Sequence, residues 1–242
     1  MTRSPLFPQT QWTALVKACG DPASDQRLRA LETLCRDYWY PLYAFARRSG
    51  SNPHDAEDLT QGFFHYLLER DLIASANQNL GKLRTFLLTA FQRYIGGVRI
   101  RDHAGKRGGG QEIFSLDVAA AERQFGEPGN TLTPQELYDR HWALSVLYGT
   151  LEQLRQADEQ AGRGGQFEIL KGFLDPRSTA EGDYDVATTA LGMNLEATRK
   201  AVSRLRGKFR DLLRKQIAAT LSTPSEELVD AELTALKSAF RG

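Results

Sequence analysis

The chain has 242 residues, of which 25% are charged and 41% hydrophobic, a composition that builds one large or two small folded domains and excludes wholesale disorder. No apolar stretch approaches the roughly 20 residues that span a bilayer, and Met1-Thr2-Arg3-Ser4-Pro5 leads into no apolar signal core, so the expected location is the cytoplasm with no membrane partner. The net charge of +1 excludes a protein that coats polyanions indiscriminately, and the two cysteines, Cys19 and Cys35, read as reduced, buried side chains rather than a disulfide framework.

No alternating strand pattern stands out, while apolar stripes of helical period recur along the chain. Thr10 precedes a short stripe of Trp12, Leu15, Val16 and Cys19, and Gly20 to Ser24 reads as a turn. A helix then carries Leu28, Leu31, Leu34 and Cys35 toward the aromatic cluster Tyr38, Trp39, Tyr40, Tyr43 and Phe45. Pro41 lacks an N–H, so a kink or break is expected there. Ser49-Gly50-Ser51 ends this element. Asn52 reads as an N-cap, followed by Pro53 and Asp55 in the first turn. The next helix carries Leu59, Phe63, Tyr66 and Leu67 on one face and collects Asp58, Gln61 and His65 on another.

A third helix is expected from Lys82 to Arg101, with Phe86, Leu87, Ala90, Phe91, Tyr94 and Ile95 on its stripe and Gly96-Gly97 as an interruption. From Gly81 to Arg107 seven bases face the single acid Asp102, a local charge of +6. Gly108-Gly109-Gly110 opens a linker that runs to residue 133. A second helical unit begins after Thr133, with Pro134 first and Glu136 third, and carries Leu137, Trp142, Leu144, Leu147, Leu151 and Leu154. Gly162 to Gly165 turns the chain into a short helix with Phe167, Ile169, Leu170, Phe173 and Leu174. Thr223-Pro224-Ser225-Glu226 reads as a capping box before a last helix with Val229, Leu233, Leu236 and Phe240.

The segment from Tyr184 to Leu213 has the form of a helix-turn-helix: Val186, Ala187 and Leu191, a turn at Gly192-Met193-Asn194, then a helix with the inward stripe Thr198, Val202, Leu205, Phe209 and Leu212. Eight bases face the single acid Asp211 between Arg199 and Lys215, a local charge of +7. Glu196, Arg199, Lys200 and Ser203 stand at the start of that helix, where such a motif reads base edges in the major groove. Arg204, Arg206, Lys208 and Arg210 suit phosphate contacts, which position without specifying. His54, Asp58 and His65 match no zinc spacing, and Glu57 and Asp58 have no visible acid–base partner. No catalytic residue, metal or cofactor is therefore expected, and the protein is not read as an enzyme.

These motifs carry a resemblance. Asp55-Ala56-Glu57-Asp58-Leu59-Thr60-Gln61 followed by Phe63-Phe64 resembles region 2 of bacterial RNA polymerase sigma factors of the extracytoplasmic-function type. Phe86-Leu87-Leu88-Thr89-Ala90 with its basic tail resembles the promoter-melting part of that region. Ala197-Thr198-Arg199-Lys200-Ala201-Val202-Ser203-Arg204-Leu205-Arg206 is similar to the region 4 recognition helix. Phe7-Pro8-Gln9-Thr10-Gln11-Trp12 and Tyr38-Trp39-Tyr40-Pro41-Leu42-Tyr43 resemble a subgroup common in planctomycete-like bacteria, and the likeness runs from Phe7 to Ile217.

The resemblance implies an all-α protein of two small helical domains, residues 25–107 and 134–217, joined by a linker at 108–133, with an N-terminal segment 1–24 and a C-terminal helical extension 218–242. It implies binding to core RNA polymerase through the β′ clamp helices and the β flap, with Asp58, Gln61 and His65 at the clamp contact. It implies promoter DNA as ligand: Arg93, Tyr94, Arg99 and Arg101 at the −10 single strand, and Glu196, Arg199, Lys200, Ser203 and Arg204 at the −35 element. It allows an anti-sigma factor as a further partner. Gly62 stands where many relatives carry glutamate, and Gly96-Gly97 where many carry Asp or Asn. The other readings are a helix-turn-helix regulator acting without polymerase and a sigma-like interaction protein that does not initiate transcription. The C-terminal helix is expected either to cover apolar surface of the second domain or to regulate its access to DNA.

Overall fold

A computed structural model describes residues 25–70, 72–73, 81–103, 122, 131–175 and 181–240. The expectations for 1–24 and for most of 108–133 fall outside them. The described elements are helical: α1 (Asp25–Arg48), α2 (Pro53–Glu69), α3 (Leu83–His103), α4 (Pro134–Gln160), α5 (Gly164–Leu170), a 3₁₀ turn (Lys171–Leu174), α6 (Glu181–Leu191), α7 (Leu195–Ala219) and α8 (Glu226–Ser238). Among the described residues no helix is long and apolar enough to cross a membrane.

Local chemistry sets most of the helix ends. The Asn52 side chain accepts the Asp55 backbone N–H at 2.9 Å, and Pro53 opens α2 at no cost because its position needs no N–H. Thr133 and Glu136 form a reciprocal capping box ahead of α4: the Glu136 carboxylate accepts the Thr133 N–H at 2.8 Å, and the Thr133 hydroxyl accepts the Glu136 N–H at 3.3 Å. The cap of α8 is Ser225, which accepts the Leu228 N–H, rather than the expected Thr223. Ser225 has the extended backbone of an N-cap, and Glu226 and Glu227 follow it in the first turn, where the helix dipole favours acids.

Neither expected interruption breaks its helix. α1 runs through Pro41, which is buried among the core side chains Leu42, Tyr43 and Ala44. Tertiary burial of that aromatic segment outweighs the loss of one helix hydrogen bond. α3 likewise runs through Gly96-Gly97 to His103.

The described residues form two compact units, one from those between Phe7 and Ser145 together with those from Ile217 onward, the other from Val146–Gln216. The boundaries fall inside α4, between Ser145 and Val146, and inside α7, between Gln216 and Ile217. In the first unit α1 packs on α2, and Phe63 and Phe91 meet at 5.0 Å between ring centroids, both fully buried. Ala44 and Tyr40 of α1 pack against Leu132 and Leu137 at the start of α4. That contact explains why the head of α4 belongs with α1. In the second unit Leu154, Phe167, Leu170, Phe173, Ala187, Val202 and Leu205 form one core. Replacing a fully buried phenylalanine such as Phe63 by alanine costs about 3–5 kcal/mol.

Candidate functional site

The second unit presents the helix-turn-helix. Gly192 takes φ +61, a left-handed conformation that favours glycine, and so closes the turn after α6. Asn194 then caps α7, its side chain accepting the Ala197 N–H at 2.8 Å. Thr198 is fully buried, donates to the Asn194 carbonyl at 3.1 Å and meets the Thr188 hydroxyl at 3.2 Å, tying the two helices together. Val202 and Leu205 continue this inward stripe. Glu196, Arg199, Lys200, Ser203 and Arg204 all lie on the solvent side of α7. Lys200 pairs with Glu196 at 2.6 Å within the helix, and the Arg199 guanidinium sits 5.8 Å from the centre of the Tyr184 ring. Exposed pairs of this kind contribute little to stability and yield readily to a stronger anion.

Two of the residues expected at phosphates also bond within the fold. Arg206 donates from Nε to the Phe173 carbonyl at 3.0 Å. Lys208 bonds Asp158 at 2.8 Å, and Arg163 bonds the same buried carboxylate at 2.8 Å. Burial alone would raise the Asp158 carboxyl, but the hydrogen bonds from Lys208 and Arg163 outweigh it and hold it below the ordinary carboxylate value. Arg204 and Arg210 remain exposed, as expected of residues that could meet phosphate.

The first unit carries the acidic and amide face. Asp58 is exposed and pairs with His54 at 3.1 Å, Gln61 donates to Glu57 at 3.1 Å, and His65 pairs with Glu69 at 3.4 Å. Every one of these contacts lies within α2, so the face is self-contained on the helix surface. The opposite face of α2 is buried through Ala56, Thr60, Phe63, Phe64 and Leu67.

On α3, Arg93 and Arg99 are exposed, while the side chain of Arg101 falls outside the described residues. Tyr94 is half-buried. Its ring packs 5.9 Å from Phe63 and 5.3 Å from Tyr66. Its hydroxyl lies 2.3 Å from where a Cβ on Gly62 would sit, which accounts for glycine at that position. Of the two phenylalanines assigned to the core of this helix, Phe91 is fully buried and Phe86 only half-buried.

The start of α3 is clamped by the C-terminal extension, a feature missed from sequence. The Arg84 guanidinium bonds Glu232 of α8 with Nε at 2.8 Å and Nη2 at 3.1 Å, and Lys82 reaches the same carboxylate at 2.5 Å. Arg84 also bonds Asp139 of α4 and covers the Trp142 ring at 4.5 Å. Backbone bonds join Leu83 N–H to the Thr220 carbonyl and Ser222 N–H to the Gly81 carbonyl, both at 3.1 Å. Burial opposes both charges, yet the mutual hydrogen bonds hold Glu232 below the ordinary carboxylate value and Arg84 above its usual one. The extension therefore covers the first unit rather than the expected second one, because its only buried acid finds two bases there. Glu122, from the expected linker, similarly accepts from Tyr43 at 2.5 Å and Arg47 at 2.7 Å.

Comparison with family models, with curated proteins and with solved structures returns no match.

Proposed function

We propose that this protein is an initiation factor of the extracytoplasmic-function sigma type, which binds core RNA polymerase and directs it to −35 and −10 promoter elements. The observation that carries the reading is the presentation of α7. Asn194 and Gly192 set its first turns at the end of a helix-turn-helix, with Arg199, Lys200, Ser203 and Arg204 toward solvent and Thr198, Val202 and Leu205 inward. That is the disposition a recognition helix needs to enter a major groove. The self-contained Asp58–Gln61–His65 face suits a protein partner, since its polar groups need no help from the rest of the fold. The exposed Arg93 and Arg99 supply a second cationic surface, in the other unit.

Pull-down with purified bacterial core polymerase tests this directly, with wild type beside Asp58→Ala/Gln61→Ala. Retention of the wild type, weakened by the double change, supports the reading. If core is not bound while duplex DNA is bound through Arg199 and Lys200, the protein is a helix-turn-helix regulator that works without polymerase.

A further inference from the structure

Two neighbouring cations at the start of α7 are held in different ways. Lys200 pairs with Glu196 at 2.6 Å, so an incoming anion must displace a carboxylate to use it. Arg199 instead lies over the Tyr184 ring, 5.8 Å from its centre. A carboxylate holds a cation by occupying its N–H donors, whereas an aromatic face holds it through the ring quadrupole and occupies none of them. The donors of Arg199 are therefore left for the edge of a base.

The ring that holds Arg199 is itself fixed. Tyr184 of α6 is half-buried, and its ring centre lies 4.6 Å from that of Phe173, in the 3₁₀ turn. Phe173 is buried and belongs to the core formed with Ala187, Val202 and Leu205. The Phe173 carbonyl also accepts Arg206, which stands at i+7 from Arg199 and so on the same face of α7. One buried aromatic thus anchors this face twice, at Arg206 through its carbonyl and at Arg199 through Tyr184. Packing on Phe173 asks only for an apolar side chain at position 184, whereas holding a cation asks for a ring. An arginine that is free beforehand loses rotamer freedom when it meets a base, and one already held loses less.

We propose that Tyr184 is a positioning residue: it holds the Arg199 guanidinium ready for a base edge before DNA arrives, and so sharpens discrimination at the base pair that Arg199 reads. The inference rests on α7 entering duplex DNA, the part of the proposed function that a polymerase-free regulator would share.

The test uses the full chain, alone and as holoenzyme with core polymerase, and a duplex that the wild type selects from a random pool. Affinity is measured by competition for that duplex, for copies with one base pair changed at a time, and for an unrelated duplex. Thermal unfolding sets an assay temperature below the transition of every variant, so that packing lost on Phe173 does not enter the comparison. Tyr184→Leu is expected to weaken binding to the selected duplex about fivefold and to leave the unrelated duplex unchanged. It should also flatten the mismatch penalties at the base pairs where Arg199→Ala flattens them. Tyr184→Phe keeps the ring and should match the wild type throughout. In an Arg199→Ala background Tyr184→Leu should have no further effect, whereas a merely structural role would lower affinity there as well. Wild-type affinity and penalties in Tyr184→Leu overturn the inference, as does an equal loss on selected and unrelated duplexes or a further loss in the Arg199→Ala background. If the wild type selects no duplex, alone or with core, recognition by α7 falls and this inference with it. Selection by a chain that does not bind core overturns the sigma reading alone.

Discussion

Replacing Glu232 by alanine is the sharpest probe of how the first unit holds together. The Glu232 side chain is 1% exposed and neutralises Arg84, itself 14% exposed, and Lys82, which is 32% exposed. Removing one partner of a buried pair leaves an uncompensated charge and costs about 3–5 kcal/mol. Two features reduce that figure here: Asp139 still accepts from Arg84, and Lys82 can turn back into water. The expected loss is therefore about 2–3 kcal/mol, a fall in melting temperature of roughly 5–10 °C for a chain of this size. Trp39 and Trp142 both lie in the first unit, so tryptophan fluorescence during urea unfolding follows the affected region. Glu232→Gln should lose less, because one amide oxygen still accepts from Arg84. A paired Arg84→Met/Glu232→Leu change removes both charges and should fall within about 1 kcal/mol of the wild type. A loss below about 1 kcal/mol in Glu232→Ala would refute the clamp, as would a double change no better than the single one.

Three further outcomes follow from the same contacts. His141 is buried edge-on to Tyr40, and burial, then the neighbouring Arg140 charge, push its pKa down from 6.5 to about 4. The unfolded chain takes up a proton that the folded chain refuses, so stability falls as pH drops from 6.5 toward 4, by about 3 kcal/mol at most. His141→Gln should flatten that limb in chemical unfolding, and an unchanged limb would place its origin elsewhere. Gly62→Ala drives a Cβ into the Tyr94 hydroxyl and should cost about 1–2 kcal/mol, the helix preference for alanine offsetting part of the overpacking; Gly62→Ala/Tyr94→Phe should recover most of it in thermal unfolding. Asp158→Asn should destabilise the second unit by about 2 kcal/mol by weakening the bonds from Lys208 and Arg163, yet leave duplex affinity in gel shifts unchanged, whereas Arg204→Ala should do the reverse.

The helical class and most helix starts were legible because they depend on residues within one turn of each other. Asn52 with Asp55, Thr133 with Glu136 and Asn194 with Ala197 are contacts three residues apart, and the capping rules read them directly. The division of α7 into an inward stripe and an outward basic face followed from helical period alone. Period was a poorer guide to breaks. Pro41 and Gly96-Gly97 carry local costs of helix formation, yet the helices continue through both, and around Pro41 burial of the aromatic segment supplies the compensation.

Period also could not tell a base facing solvent from a base bonded within the fold. Arg204 and Arg206 look alike in sequence, yet Arg206 bonds the carbonyl of Phe173, 33 positions away. Lys82 and Arg84 belong to the first basic segment, yet both are spent on Glu232, 148 positions from Arg84 in the chain. Tyr94 looked free in sequence, yet its ring packs beside Phe63 and Tyr66 and its hydroxyl lies against Gly62. Propensity, capping and local charge are short-range properties, so the helical class, the caps and two concentrations of positive charge could be read from the order of residues. Tertiary structure alone decided which of those charges are spent inside the fold, because pairing a buried acid with a distant base depends on where packing brings them together.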